Sequence, residues 1–209
     1  MKPMNAEASA KTADDSDLRK VDTAKRILEE AERLFRHYGY SKTTIADIAR
    51  ELAMSPANIY RFYASKTKIH EALAERMLAT REVALFEIAK LPISAAERLK
   101  LFVVDEYKAT VAQMLGEVKV HEMVAVALEE HWSVIDRHLH RMTEILSGII
   151  ADGMRTGEFA MDDPMKTARC FKACVISVCH PTVVAQCRLD PEAANPGELA
   201  DFVLKALRP

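Results

Sequence analysis

An all-α fold is predicted for this chain on three observations. Its 209 residues include only 6 glycines, and Ala, Leu, Glu, Arg, Lys and Met, the residues that lose least on entering a helix, abound. Apolar residues recur at three- and four-residue spacing, and no convincing strand pattern interrupts them. Ser, Thr, Asp and Asn stand just before several of these runs, where a helix needs a side-chain oxygen to accept its first free N–H groups.

The elements follow in order. In residues 19–38 the apolar positions Val21, Ala24, Ile27, Leu28, Ala31, Leu34 and Phe35 form one stripe, and Gly39 ends the helix just past its last turn. Thr43 or Thr44 caps a second helix through Ile45, Ile48, Ala49 and Leu52. Ala53 and Met54 make a turn. Ser55 caps a third helix, with Pro56 at its first position, where a missing N–H costs nothing. That helix closes near Phe62 and Tyr63.

Ser65 caps a long fourth helix reaching Lys90, and Leu91-Pro92-Ile93 breaks it. Ser94 and Glu97 form a capping box that opens a helix ending near Leu115. Further helices are expected up to Glu130 and from Trp132 to Arg155. Asp162-Asp163-Pro164 begins another through Arg188, kinked or shortened by Pro181. Asn195-Pro196 opens the last, through Leu207. The pattern gives about nine helices.

Charge divides the chain. Residues 18–81 carry 13 Lys/Arg against 8 Asp/Glu, and residues 82–209 carry 14 against 19. One end is therefore +5 and the other −5, as suits a protein that meets phosphate with its N-terminal part. Residues 1–17, acidic and poor in large apolar side chains, read as a disordered tail. The division expected is a tail at 1–17, a DNA-binding domain at 18–81 and a second domain at 82–209. The fourth helix crosses the boundary, so the halves are expected to be mechanically coupled.

Several chemistries find no support. No apolar run approaches the roughly 18 residues of a membrane span, and the N-terminus lacks a signal-peptide core, which together predict a cytoplasmic protein. Cys170, Cys174, Cys179 and Cys187 contain no C-x-x-C pair, so they are expected to be small buried apolar side chains. Asp136 and His140, four apart, read as a surface helix pair rather than a metal site, and no H-E-x-x-H occurs. Neither a G-x-S-x-G elbow nor a glycine-rich phosphate loop is present. The chain is read as no enzyme, with no cofactor and no metal.

The stretch from Thr43 to Lys66, TTIADIARELAMSPANIYRFYASK, carries the function. Two short helices around a tight turn make a helix-turn-helix. The second helix offers small or polar residues at its start, where base edges lie in the major groove. Asn58 can bond an adenine bidentately, and Pro56 and Ala57 can touch a thymine methyl. Ile59 and Phe62 face inward. Tyr60 and Tyr63 offer hydroxyls to phosphates. Thr44 and Lys66 stand at helix N-termini, which favour anions.

Residues 23–81 resemble the N-terminal domain of the tetracycline-repressor family of bacterial transcription regulators. The resemblance lies in ILEEAERLFRHYGYSKTT, then IADIARELAMSPANIYRFYASK, then the entry to the fourth helix. It implies an all-α homodimer that binds a palindromic DNA operator, more often as repressor than as activator, released by a small-molecule effector held in the C-terminal domain. Carried over by position, the implied DNA contacts are Thr44, Ala46, Ser55, Pro56, Ala57, Asn58, Tyr60, Arg61 and Lys66. One departure stands out. Arg61 and Phe62 occupy positions where the family commonly has an aromatic residue and then His, so operator sequences do not transfer.

The C-terminal part resembles the family only in helix count and order. Its scattered Phe102, Met114, Met123, Trp132, Met142 and Phe171 suit an apolar effector pocket between the helices of residues 95–155, opening toward the fourth helix, since Met adapts to irregular shapes. Core packing explains each equally well. Dimerisation is expected through the helices near 163–188 and 196–207. The first carries the small residues Ala168, Ala173 and Ser177, and the second an apolar stripe of Leu199, Phe202, Val203 and Ala206. Two alternatives remain: a regulator controlled by a protein partner without a small ligand, and a helical interaction protein that no longer binds DNA.

Overall fold

A computed structural model describes residues 6–115, 123–127, 133–187, 190 and 192–209, with the backbone alone at 6–17 and 113–115. Among the described residues there are helices and no strands. They are α1 (Ala6–Tyr38), α2 (Ile45–Glu51), α3 (Pro56–Tyr60), α4 (Lys66–Ala89), α5 (Ala95–Leu115), α6 (123–127), α7 (Ser133–Thr156), α8 (Pro164–Cys174), α9 (Ile176–Cys179), α10 (Pro181–Cys187) and α11 (Pro196–Lys205). The chain divides into two compact units, one through Leu73 and one from Ala74, so the division falls inside α4.

Two departures from the sequence pattern have local causes. Helix α1 begins at Ala6, so residues 6–17, expected as tail, are helical. That segment has four alanines, Glu7 and Lys11, residues that favour helix without needing a core. The helix expected to run from Pro164 to Arg188 is three helices. Val175 caps α8, and His180 is extended at φ −78°, ψ 125°. Pro181 disfavours helical backbone in the residue before it and starts α10 as an N-terminal proline.

In the first unit, Ile27, Ala31, Leu34 and Phe35 of α1 are buried, as are Ile45, Ile48 and Ala49 of α2, Ile59 of α3, and Ile69 and Leu73 of α4. Helix α1 packs on α2, and α2 on α3. Gly39 stops α1 at φ 96°, a left-handed conformation that glycine adopts without a Cβ penalty, and its N–H donates to the Phe35 carbonyl at 2.9 Å.

The second unit surrounds one apolar cluster. It takes Leu85 from α4, Leu99, Phe102 and Val103 from α5, and Met142, Leu146, Ile149, Ile150 and Met154 from α7. Phe159, Phe171 of α8, and Ala200, Val203 and Leu204 of α11 complete it. Polar ties hold its rim. Glu158 accepts from the Ala95 and Ala96 N–H groups, both at 3.1 Å, capping α5 from a distant loop. Arg98 bonds Asp152 at 2.9 Å and the Ala89 carbonyl at 2.7 Å. Arg81 bonds Asp105 at 2.8 Å and Glu106 at 2.9 Å.

Candidate nucleic-acid interface

The helix-turn-helix is built from caps. Thr44 is the N-cap of α2: its hydroxyl accepts the Asp47 N–H at 3.2 Å, and Asp47 accepts the Thr44 N–H at 2.9 Å. The Thr44 hydroxyl also donates to Asp47 at 2.6 Å, and Arg50 donates to the same carboxylate at 2.7 Å. The hydrogen bonds from the Thr44 side chain and backbone, then from Arg50, hold the Asp47 carboxyl below its ordinary range. Ser55 caps α3 by accepting the Asn58 N–H at 3.2 Å, with Pro56 in the first turn.

Between them the chain turns at Ala53, whose φ is 54°. The Met54 N–H reaches back to the Ala49 carbonyl at 2.8 Å and closes the turn. Ile59, fully buried, pins α3 to the unit's core. Opposite it, Ser55, Pro56, Ala57, Tyr60 and Arg61 are exposed and Asn58 is half-buried. Thr44 and Ala46 are exposed at the start of α2. A surface depression gathers Ser55, Ala57, Asn58 and Arg61 with Ala53 and Met54. The sequence assigned the last two only to the turn. Their place in the depression follows from the positive φ at Ala53, which composition does not announce. Asp47 was also missed, although Thr-x-x-Asp is a capping signal of the Ser-x-x-Glu kind.

Two expected phosphate ligands point elsewhere. The Lys66 ammonium donates to the carbonyls of Tyr40 at 2.9 Å and Thr43 at 3.1 Å, and lies 4.3 Å from the centroid of the Tyr40 ring. The Tyr63 hydroxyl donates to the Ala24 carbonyl at 3.3 Å.

In the second unit, Phe102, Met142 and Phe171 meet in the apolar cluster, and Met123 is buried on α6. Trp132 and the Met114 side chain lie outside the described residues. The face expected for dimerisation is smaller than the sequence pattern implied. Ala168 is fully buried in the chain's own core, and Val203 is buried with it. Ala173, Ser177, Ile176, Phe202 and Ala206 remain exposed. Cys170 and Cys174 are exposed too, contrary to expectation, while Ala168 and Phe171 of the same helix are buried. Cys179 is enclosed as expected, and burial pushes its thiol up to about 12, with the Glu106 charge adding to the rise. His140 lies against Glu144 at 3.3 Å, a surface pair four residues apart. Among the described residues no cluster of three or more His, Cys, Asp or Glu could hold a metal ion, and no helix is long and apolar enough to cross a membrane.

Known proteins share this arrangement. An uncharacterized HTH-type transcriptional regulator of Bacillus subtilis, YhgD, is 24% identical over 151 residues, 71% of this chain and 78% of its own. The crystal structure of a TetR/AcrR-family regulator from Thermobifida fusca superposes with a TM-score of 0.64 at 23% identity, covering 88% of this chain and 95% of that one. The regulator FadR from Bacillus subtilis, in complex with stearoyl-CoA, gives 0.55 at 16% identity, covering 87% and 95%. Residues 27–73 match the family profile of bacterial regulatory proteins, tetR family, which spans the whole helix-turn-helix. Residues 95–199 match the tetracyclin repressor-like C-terminal domain. The chain therefore belongs to the tetracycline-repressor family and is a transcriptional regulator of that family.

Proposed function

We propose that this regulator is a homodimeric repressor that binds a palindromic DNA operator and releases it when a small, mostly apolar molecule occupies the second unit. It works in the cytoplasm and catalyses nothing. The observation that carries the DNA reading is α3 itself. Ile59 anchors it, Ser55 and Pro56 start it, and Ala57, Tyr60 and Arg61 lie on its open side with Asn58 half-buried beside them. Thr44 and Ala46 extend that face along α2. A short helix with its N-terminal residues free to reach base edges is what major-groove readout requires.

The dimer forms through the exposed Ala173, Ile176, Ser177 and Phe202, whose small and apolar side chains allow two copies to approach closely. Two recognition helices then stand about 34–36 Å apart, one turn of DNA. The effector reading draws on the Met and aromatic content around Phe102, Met123, Met142 and Phe171, and on the stearoyl-CoA bound by the FadR neighbour. An effector needs only about 1–3 kcal/mol of preference for the non-binding state.

Selection of duplexes from a random pool by the full-length protein tests the DNA reading. An enriched palindrome, with Asn58→Ala costing roughly 1–3 kcal/mol on it, is the expected result. Unchanged affinity in Asn58→Ala and Arg61→Ala would remove α3 from the interface. Sedimentation as a monomer at micromolar concentration would remove the dimer. A bulky replacement at Met123 or Met142 should blunt release by effector and leave operator affinity intact.

A further inference from the structure

We propose that Lys66 is a positioning residue of the DNA reader, acting through the turn Tyr40–Thr43 rather than as a ligand of a phosphate. The proposal rests on the reading of α2 and α3 as the DNA-binding face. An ammonium has three N–H donors. Two of those on Lys66 are committed to the carbonyls of Tyr40 and Thr43, and the cation lies over the electron-rich face of the Tyr40 ring. Both carbonyls lie in the turn that follows the end of α1 at Tyr38 and leads to the start of α2.

The turn so held is rigid on its other sides. Tyr40 is buried, meets Phe35 edge-on at 5.2 Å and lies 4.6 Å from the His70 ring. Its hydroxyl is 3.4 Å from that of Thr67, on the same helix as Lys66. Thr43 is only 2% exposed, and its hydroxyl donates to the Gly39 carbonyl at 2.9 Å. The next residue is Thr44, the N-cap that starts α2. Lys66 thus ties the start of α4 to the start of α2 by charge-assisted hydrogen bonds, the stronger kind. With two of its three N–H groups held by these carbonyls, the ammonium is fixed in place at the turn.

The two roles differ in what they do to different DNAs. A phosphate ligand strengthens binding to every duplex and releases a counterion each time, whereas a clamp that aligns α2 strengthens only the duplex whose bases are read. The probes are a duplex enriched from a random pool by the full-length protein and poly(dA-dT) as non-specific DNA. For Lys66→Met the expected result is at least a ~10-fold loss on the enriched duplex. Affinity for poly(dA-dT) should stay within ~2-fold, with the slope of log affinity against log salt unchanged. Lys66→Arg, which keeps charged donors within reach of both carbonyls, should recover much of the loss; a fold that had merely been weakened would lower both affinities together.

Parallel losses on both DNAs, with the salt slope smaller by about 1.8 for the two Lys66 of a dimer, would overturn the proposal. The unaltered protein offers a second measurement, which stands even where Lys66→Met does not fold. The nitrogen resonance of the Lys66 ammonium should hold its position when the enriched duplex is added. A shift abolished by one methylphosphonate substitution in that duplex would assign the amine to that phosphate instead. Failure of the unaltered protein to enrich any duplex would overturn the reader itself, and this proposal with it.

Discussion

The two units keep their helices in place by different means. In the DNA reader the contacts that start α2 and α3 are local: Thr44 with Asp47, and Ser55 with Asn58, each three residues apart. In the unit from Ala74 they join distant parts of the chain. Arg98 reaches Asp152, Glu158 caps α5, and Lys100 meets Asp201 across 101 residues. Local contacts form whenever a short segment has the right residues, so they survive change elsewhere in the chain. Distant contacts exist only when the whole unit has closed, so that unit should fail cooperatively when its centre is disturbed.

The largest effect that would break this comparison is at the centre. Phe102→Ala should lower the stability of the second unit by about 3–5 kcal/mol, through lost burial and the cavity left behind. Denaturant unfolding followed by a probe in each unit reads it. A loss below about 1 kcal/mol would mean that the cluster is not close-packed.

Next comes a pair of glycines on one helix. A Cβ at Gly153 would run into the ring of Phe159 and stand 2.9 Å from the Ala95 Cβ, whereas one at Gly148 meets nothing within 4 Å. Gly153→Ala should cost about 1–3 kcal/mol by overpacking. Gly148→Ala should stabilise α7 by roughly 0.5–1 kcal/mol through helix propensity alone. Equal thermal shifts in the two variants would contradict the packing described around Phe159.

In the reader the matching change is smaller. Ser55→Ala removes the cap of α3 and should cost about 1 kcal/mol, with a further loss on the operator if α3 frays at its reading end. Hydrogen exchange confined to 55–60 would show that the damage stays local. Exchange spreading through the second unit would break the contrast.

The smallest effect is acid sensitivity. Hydrogen bonds from Arg98, then from Arg155, hold the Asp152 carboxyl below its ordinary range. Burial alone would raise Glu82, but hydrogen bonds from Arg141 and His138 outweigh it and hold that carboxyl low as well. A carboxyl with a depressed folded pKa adds stability that is fully present above its unfolded value, near 4, and is lost as pH falls through the folded value. The second unit should therefore weaken progressively below about pH 4, and Asp152→Asn should flatten that decline. An unchanged acid profile in Asp152→Asn would show that the Arg98 tie contributes nothing measurable.

The amino-acid sequence by itself determined the helical class, the family, and the stops and starts of the described helices other than the start of α1 and the breaks within 164–188. Gly39, Ser55-Pro56, Ser94 with Glu97, and Asn195-Pro196 act within one turn of where they stand, so their effect is readable without a fold. The outward face of α3 was legible for the same reason, since Ile59 and its neighbours sort by helical period. Only the tertiary structure decided where long side chains end. Lys66 stands at a helix start in the sequence, and only the fold brings the Tyr40 and Thr43 carbonyls within its reach. Ala168 and Val203 read as interface until the chain's own core takes them, and Cys170 and Cys174 read as buried until Phe171 claims the inner face of α8. A helical period says which residues share a face. It does not say which face finds a partner, because that depends on segments tens of residues away.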